Sequence, residues 1–429
     1  MNVLILGSGG REHAIAWKVS HSSILNKLYV APGNAGTAQI AENVDLDPMD
    51  FDAVGAFCLA HDVRIVVVGP EAPLVEGIAD HFEAEPRFAS ITIIGPGKKG
   101  AMLEGSKQFA KAFMERHQVP TAKYKAFTKE NVGEAQAFLE KMQPPYVVKA
   151  DGLAAGKGVI ITDDIKEALE TVEGMVSGKA FGEAGKQVVI EEYLDGIEVS
   201  MFVLTDGKCI KFLPEAKDYK RVGEGDTGPN TGGMGAVSPV SFVNPEFTEK
   251  VKNQVIIPTV KGLAADGIPY KGFIFFGLMK VQGDPYVIEY NCRLGDPETE
   301  VILPRIKSDL LHLFEGIATD TLSECDLEID ERSAATVILA SGGYPGSYEK
   351  GKAITFGDIG HAQPFHAGTK IADNGGVVTN GGRVLAVSAM GAEVDEALEI
   401  SYKAIENIRF EDVYFRKDIG ADLRKVTAK

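Results

Sequence analysis

The stretch Asn2-Val3-Leu4-Ile5-Leu6-Gly7-Ser8-Gly9-Gly10-Arg11-Glu12-His13 sets the fold: an apolar run, a turn rich in glycine, then the start of a helix. The same order recurs at Lys27–Val30, Arg64–Val68 and Ile91–Ile94, each run closing on glycine or proline. Short apolar strands alternating with helical stretches are the pattern of a parallel sheet covered on both faces. Ligands of such sheets sit at the strand C-termini, so residues 7–10, 32–36, 69–73 and 95–97 are expected to line a site.

Beyond this unit, the helical pattern from Lys107 to His117 ends at Val119-Pro120. Strands are expected at Tyr146–Lys149, Val159–Thr162 and Val188–Glu191, then a long polar loop over residues 214–238 and a helix near Pro245–Ala265. Two more strands, Gly272–Val281 and Tyr286–Asn291, complete the middle of the chain. From Ala334 the pattern becomes strands with glycine turns (Ala334–Ala340, Gly376–Thr379, Val384–Met390) and one amphipathic helix, Val394–Ile408, with a boundary in 322–333.

The 429 residues suit about three domains at roughly 150 residues each. Lys and Arg number 44 against 61 Asp and Glu, a net charge of -17, which disfavours a nucleic-acid partner but leaves room for a local basic pocket. Four cysteines without paired spacing suit neither zinc nor a disulfide framework. No apolar run is long enough for a membrane span, and the N-terminus reads directly into a strand, so a cytoplasmic protein is expected.

Three segments carry chemistry. The turn Gly7–His13 offers backbone N–H groups and a helix N-terminus to phosphate. It departs from the dinucleotide fingerprint, because Glu12 stands where a third glycine belongs and the second strand ends in Ala31-Pro32-Gly33-Asn34-Ala35-Gly36-Thr37 without an acid for a ribose. A phosphorylated substrate, a nicotinamide or flavin cofactor, and glycines kept for tight packing alone all remain open here. The loop Asp151-Gly152-Leu153-Ala154-Ala155-Gly156-Lys157-Gly158, after Lys149, is not a Walker A loop; it reads as a flap over polyphosphate or as a solvated turn.

The third segment is Val287-Ile288-Glu289-Tyr290-Asn291-Cys292-Arg293-Leu294-Gly295-Asp296-Pro297-Glu298-Thr299-Glu300. Strand alternation puts Glu289, Asn291 and Arg293 on one face with Val287, and Ile288, Tyr290 and Cys292 on the other. A carboxylate, an amide oxygen and a guanidinium together suit a hard cation and an oxyanion, the pair that phosphoryl transfer needs.

With Arg293-Leu294-Gly295-Asp296-Pro297-Glu298 as the most specific element, nearly the whole chain resembles the ATP-grasp superfamily, and closely its phosphoribosylamine–glycine ligase family. Gly69-Pro70-Glu71-Ala72-Pro73-Leu74, Lys217-Asp218-Tyr219-Lys220-Arg221 and residues 227–235 support the likeness. The resemblance implies an α/β and α+β multidomain chain: an N-terminal parallel α/β (pre-ATP-grasp) domain over 1–104, a two-lobed ATP-grasp domain over 105–328 with a mobile lid at roughly 121–190, and a small C-terminal α+β domain over 329–429. It implies ATP-dependent ligation of glycine to phosphoribosylamine through glycyl phosphate, in purine biosynthesis, by a monomer or weak homodimer that binds neither nucleic acid nor membrane.

Carried over residue by residue, the resemblance puts Lys107 and Lys149 on ATP phosphates under a lid hinged at Gly152, Gly156 and Gly158. Glu191 and the backbone near Leu194 would hold adenine, and Glu198 the ribose. Glu289 and Asn291 would ligate Mg2+, or Mn2+ in its place, and Arg293 would steady the transferred phosphoryl group beside Lys149. For the other substrates it implies Gly9, Gly10, Arg11, Glu12, Pro70, Glu71, Asp296, Pro297 and Glu298, with Asn34, Gly36 and Thr37 as donors to a 5-phosphate. Asp218 and Arg293 would face the glycine and amine ends. The rivals are a related ligase with another acceptor, a nicotinamide oxidoreductase and a silent nucleotide-binding regulator.

Overall fold

The computed structural model describes residues 1–153, 158–178 and 182–426. The first sheet is parallel, in the order Glu42–Asn43, Lys27–Pro32, Asn2–Gly7, Val63–Val68, Thr92–Ile94. Val3, Leu4, Ile5 and Leu6 are fully buried, as a strand covered on both faces must be. The order reverses at Asn2–Gly7, which opens a crevice at the strand ends. The edge strand Glu42–Asn43 has no apolar run to announce it.

A separate antiparallel sheet joins Tyr124–Phe127, Val188–Glu192, Tyr146–Ala150 and Val159–Thr162. The helix Ile165–Val176, capped by Asp164, buries Ala168, Val172, Met175 and Val176 against it, so this lobe has a small core of its own. The next sheet, Ile210–Phe212, Ile197–Thr205, Gly272–Val281 and Asp284–Asn291, is also antiparallel. Its last strand corrects the simple alternation expected for residues 287–293. Gly277 pairs with Glu289 but Leu278 pairs with Val287, which leaves Ile288 as an extra residue in a β-bulge. Val287 therefore joins Tyr290 and Cys292 in the core, and Ile288 turns to the cavity that holds Glu289 and Asn291.

The last large sheet runs Lys217–Asp218, Gly235–Ser238, Ser333–Ala340, Arg383–Gly391, Gln363–His366, with the helix Val394–Ile405 on one face. Residues 214–238 are thus not one polar loop. Gly235–Ser238 is a buried strand whose run is too short and small to stand out in sequence, and Arg221–Gly223 and Thr227–Asn230 form a hairpin. The helix Thr299–Arg305 packs on both Gly10–Ser20 and Ser333–Ala340, which carries the run Asp296–Glu300 to the meeting point of the sheets. No described helix is long and apolar enough to cross a membrane.

Candidate active site

A cavity of about 440 Å³ lies between the two antiparallel sheets and the end of the parallel one. One wall is cationic. Ser106 caps the helix Lys107–Arg116, which brings Lys107 and Lys111 to the cavity one turn apart. Lys149 reaches the same place from the strand Tyr146–Ala150. Its Nζ lies 2.9 Å from Glu191 Oε2, and Lys111 Nζ lies 3.1 Å from the same oxygen. Lys111 also donates to Thr121 Oγ1 at 2.7 Å, while Lys107 donates to the carbonyls of Asp151 and Gly152 at 3.4 and 3.2 Å. Lys111 and Lys149 thus share the Glu191 carboxylate, and Lys107 stands beside them within reach of the charges of Glu289, Asp151 and Glu191.

Burial lowers the Lys107 ammonium and brings Lys111 down to about 8, with Lys149 adding repulsion to both. Burial also works against the Glu191 carboxylate, but Lys149 and Lys111 outweigh it and hold that group below its ordinary value. Glu191 Oε1 is buried with no partner. A lone acceptor in a closed site is a place for a donor from a ligand.

Opposite the lysines stand Glu289 and Asn291, neither of them hydrogen bonded or ion paired through its side chain among the described residues. Gly277, across the sheet from Glu289, leaves it room: a Cβ there would lie 3.0 Å from Glu289 Cγ. Two free hard oxygens suit a divalent cation that takes its other ligands from water and phosphate. Among the described residues no cluster of three or more acids, histidines or cysteines could hold an ion unaided.

The third wall is a network of arginines and acids. Arg293 Nη2 donates to Glu104 Oε1 at 2.7 Å, and Glu104 also accepts from the Cys292 amide at 2.8 Å. Arg293 Nε stands 3.5 Å from Glu71 Oε2 and makes no hydrogen bond, although it is buried. Asp296 accepts from the Arg11 amide at 3.3 Å and pairs with Arg383 Nη1 at 3.0 Å. Asp218 pairs with Lys220 at 3.2 Å, and Lys220 also bonds Glu198. Glu298 accepts from Ser200 Oγ at 3.2 Å.

Residues 1–104, 105–299 and 334–422 match family models described as the N domain, the ATP-grasp (A) domain and the C domain of phosphoribosylglycinamide synthetase. The phosphoribosylamine–glycine ligases of Yersinia pestis and Escherichia coli (strain K12) are each 48% identical over 426 residues, 98% of either chain. The chain belongs to the phosphoribosylglycinamide synthetase family. It is accordingly an ATP-dependent ligase that forms a C–N bond, and its ATP-grasp domain implies a divalent metal. The crystal structure of phosphoribosylamine–glycine ligase from Thermotoga maritima superposes with a TM-score of 0.83 at 36% identity, covering 97% of this chain and 100% of that one. A biotin carboxylase domain from Hydrogenobacter thermophilus, 18% identical with a TM-score of 0.73 over 96% of this chain and 91% of that one, shares the fold.

Within this synthetase the first-domain loops correct the sequence reading. Gly9 N donates to Glu12 Oε2 at 2.6 Å, and Arg11 Nε donates to Glu12 Oε1 at 2.6 Å. A Cβ on Gly7, Gly9 or Gly69 would come within 2.6, 2.9 or 2.1 Å of the Glu12 side chain. The glycines make room for the Glu12 carboxylate, the close approach that the tight-packing reading describes.

The 5-phosphate donors are also spoken for. Asn34 Oδ1 accepts from the amides of Gly36 and Thr37 at 2.8 and 3.0 Å, and Asn34 Nδ2 donates to the carbonyls of Ser8 and His366 at 2.9 and 2.7 Å. Thr37 Oγ1 bonds Asn34 and Asn43. These groups brace the loop against the C-terminal sheet. Beside them lies a second cavity of about 590 Å³, lined by Gly9, Asn34, Asp296, Tyr344, Lys370 and Arg383 among others. Asp296 and Arg383 line both cavities.

The first cavity thus gathers Arg11, Glu71, Lys107, Glu191, Asp218, Glu289, Asn291, Arg293, Asp296 and Glu298. Lys149 stands behind its wall, bonded to Glu191. Leu194, Glu198, Pro70 and Pro297 fall outside its lining; Pro70 caps the helix Glu71–Glu76 and Pro297 packs on Gly233. Gly10 packs on Glu300, Gly152 N donates to Ala184 O at 3.3 Å, and Gly158 O accepts from Ala150. Gly156 lies outside the described residues. Sequence reading missed Lys111, Glu104, Lys220, Lys370 and Arg383. Lys111 carried a signal, its spacing of four from Lys107.

Proposed function

We propose that the ligase joins glycine to 5-phosphoribosylamine, giving glycinamide ribonucleotide, ADP and phosphate through glycyl phosphate, as a step of purine biosynthesis in the cytoplasm. One observation carries this reading: Lys107, Lys111 and Lys149 gather opposite Glu289 and Asn291, whose side chains make no hydrogen bond among the described residues, in a cavity that adjoins a second one at Asp296 and Arg383. MgATP fits the first part, and a phosphorylated amine can reach it from the second.

In this reading Lys107, Lys111 and Lys149 neutralise the ATP phosphates, and Glu191 Oε1 accepts from the adenine amino group. The Leu194 backbone and Glu198 complete the nucleoside end by resemblance. Glu289 and Asn291 would hold Mg2+, or Mn2+ in its place, which supplies charge neutralisation at the phosphates. The glycine carboxylate attacks the γ-phosphoryl group, because a free carboxylate is too poor an electrophile to meet an amine directly. Arg293 is held by Glu104 and ion paired with Glu71, with Nε making no hydrogen bond, and it steadies the transferred group without reorganising. The amine then displaces phosphate. Lys370 and Arg383 supply positive charge for the 5-phosphate in the second cavity, in place of Asn34, Gly36 and Thr37. By resemblance, the lobe over roughly 121–190 would close on the site and exclude water from the acyl phosphate.

The test is ADP release by the purified protein with ATP, glycine and phosphoribosylamine, each omitted in turn, with the product identified by mass. Release that requires both glycine and phosphoribosylamine is expected. Release that needs neither, or that needs a different acid or amine, overturns the reading.

A further inference from the structure

Most carboxylates lining the first cavity are held by cations. Arg293 holds Glu71 and Glu104, Lys149 and Lys111 hold Glu191, Lys220 holds Asp218, and Arg383 holds Asp296. Among the described residues, only Glu289 and Glu298 of this lining are left without an ion pair. Glu289 lies with Asn291 opposite the lysines, where a metal is expected. Glu298 has no such assignment.

Glu298 is 4% exposed, and its one side-chain partner is a hydroxyl, Ser200 Oγ at 3.2 Å. It folds back over Gly295, where a Cβ would lie 2.3 Å from Glu298 Oε2, so the chain keeps a glycine under this carboxylate. The charged groups facing it are Asp218, Lys220, Arg293, Glu300 and Arg383. Burial, then the Asp218 charge, push its carboxyl up to about 7. Near neutral pH such a group both accepts and returns protons, whereas Asp218 is engaged by the Lys220 ammonium at 3.2 Å.

We propose that Glu298 is the proton acceptor of the amide-forming step. The nitrogen of phosphoribosylamine bonds to the carbonyl carbon of glycyl phosphate, and the bond from that carbon to the phosphate oxygen breaks with its electron pair leaving on phosphate. The proton that nitrogen sheds passes to the Glu298 carboxylate, which becomes a neutral carboxyl and later releases the proton to solvent. Ser200 is a positioning residue that holds the carboxylate toward the amine. This inference rests on the proposed function and adds the base to it.

The experiment is rapid-quench kinetics of the full-length protein with MgATP, glycine and phosphoribosylamine. Wild-type turnover that requires both substrates secures the parent reading; its absence removes that reading and this one together. In Glu298→Gln, formation of glycinamide ribonucleotide should slow about 10²–10³-fold more than formation of ADP from ATP and glycine. Glu298→Asp should recover part of the loss. In Ser200→Ala the acid limb of the pH profile for kcat/KM of phosphoribosylamine should move to higher pH, because the carboxylate loses its donor. Product formation within threefold of wild type in Glu298→Gln, or ADP and product slowing by the same factor, overturns the proposal. Should Glu298→Gln not fold, an unmoved acid limb in Ser200→Ala overturns it.

Discussion

Two regions of this chain offered the same promise in sequence: the turns Gly7–His13 and Pro32–Thr37, and the group formed by Lys107, Lys149, Glu289, Asn291 and Arg293. In the first, hydrogen bonds close on themselves. Glu12 takes the Gly9 amide, and Asn34 takes those of Gly36 and Thr37. In the second, groups are left over: Arg293 Nε and Glu191 Oε1 are buried without a hydrogen bond, Glu289 and Asn291 face the cavity free of hydrogen bonds among the described residues, and two lysines share one carboxylate. A buried polar group without a partner is costly, so a fold keeps one where a ligand will supply the partner.

The largest break in this contrast should come from Lys149→Met, which removes a cation from the leftover set. We expect kcat/KM for ATP to fall about 10²–10³-fold, the scale of one lost electrostatic contact to the reacting phosphates, while thermal unfolding shows a folded protein. A loss under threefold would place the phosphates elsewhere. Next, Asn34→Ala should act on stability: its buried amide bonds cost roughly 2–4 kcal/mol to lose, read as a lower Tm. Lys370→Ala should do the reverse, raising KM for phosphoribosylamine about tenfold at unchanged Tm. A swapped result, with Asn34→Ala raising KM at constant Tm, would restore the loop as the phosphate site.

The smallest effect is one of pH. Lys111 loses its proton near 8, so with rising pH the lysine wall loses charge and kcat/KM for ATP should decline severalfold through that range. The decline should vanish in Lys111→Met, measured under the same conditions. A decline that persists in the variant assigns it to another group.

The parallel sheet was legible because Val3–Leu6 and its neighbours are apolar without alternation, the mark of strands buried on both faces. Gly235–Ser238 and Glu42–Asn43 were not, since short strands without an apolar run owe their conformation to the strands beside them. The bulge at Ile288 shows the limit of alternation: one extra residue reversed Val287 and Ile288 while leaving Glu289 and Asn291 where period two had put them. Within the site, the residues of one strand and one helix could be read together. Glu104, Lys370 and Arg383 arrive from distant segments, and nothing in their local sequence sets them apart from surface charges, whereas Lys220 stood two residues from Asp218 in a quoted segment. The loops at 7–13 and 32–37 stay ambiguous in sequence because glycine marks any close approach, whether the neighbour is a phosphate or the chain's own Glu12.

Activation of a carboxylate as an acyl phosphate is the claim on which the site's assignment turns, and oxygen transfer reads it directly. Turnover with glycine labelled with 18O in its carboxylate should deliver one labelled oxygen to each inorganic phosphate released. Phosphate that carries no label would show that the carboxylate never bonded to phosphorus, and would contradict the account.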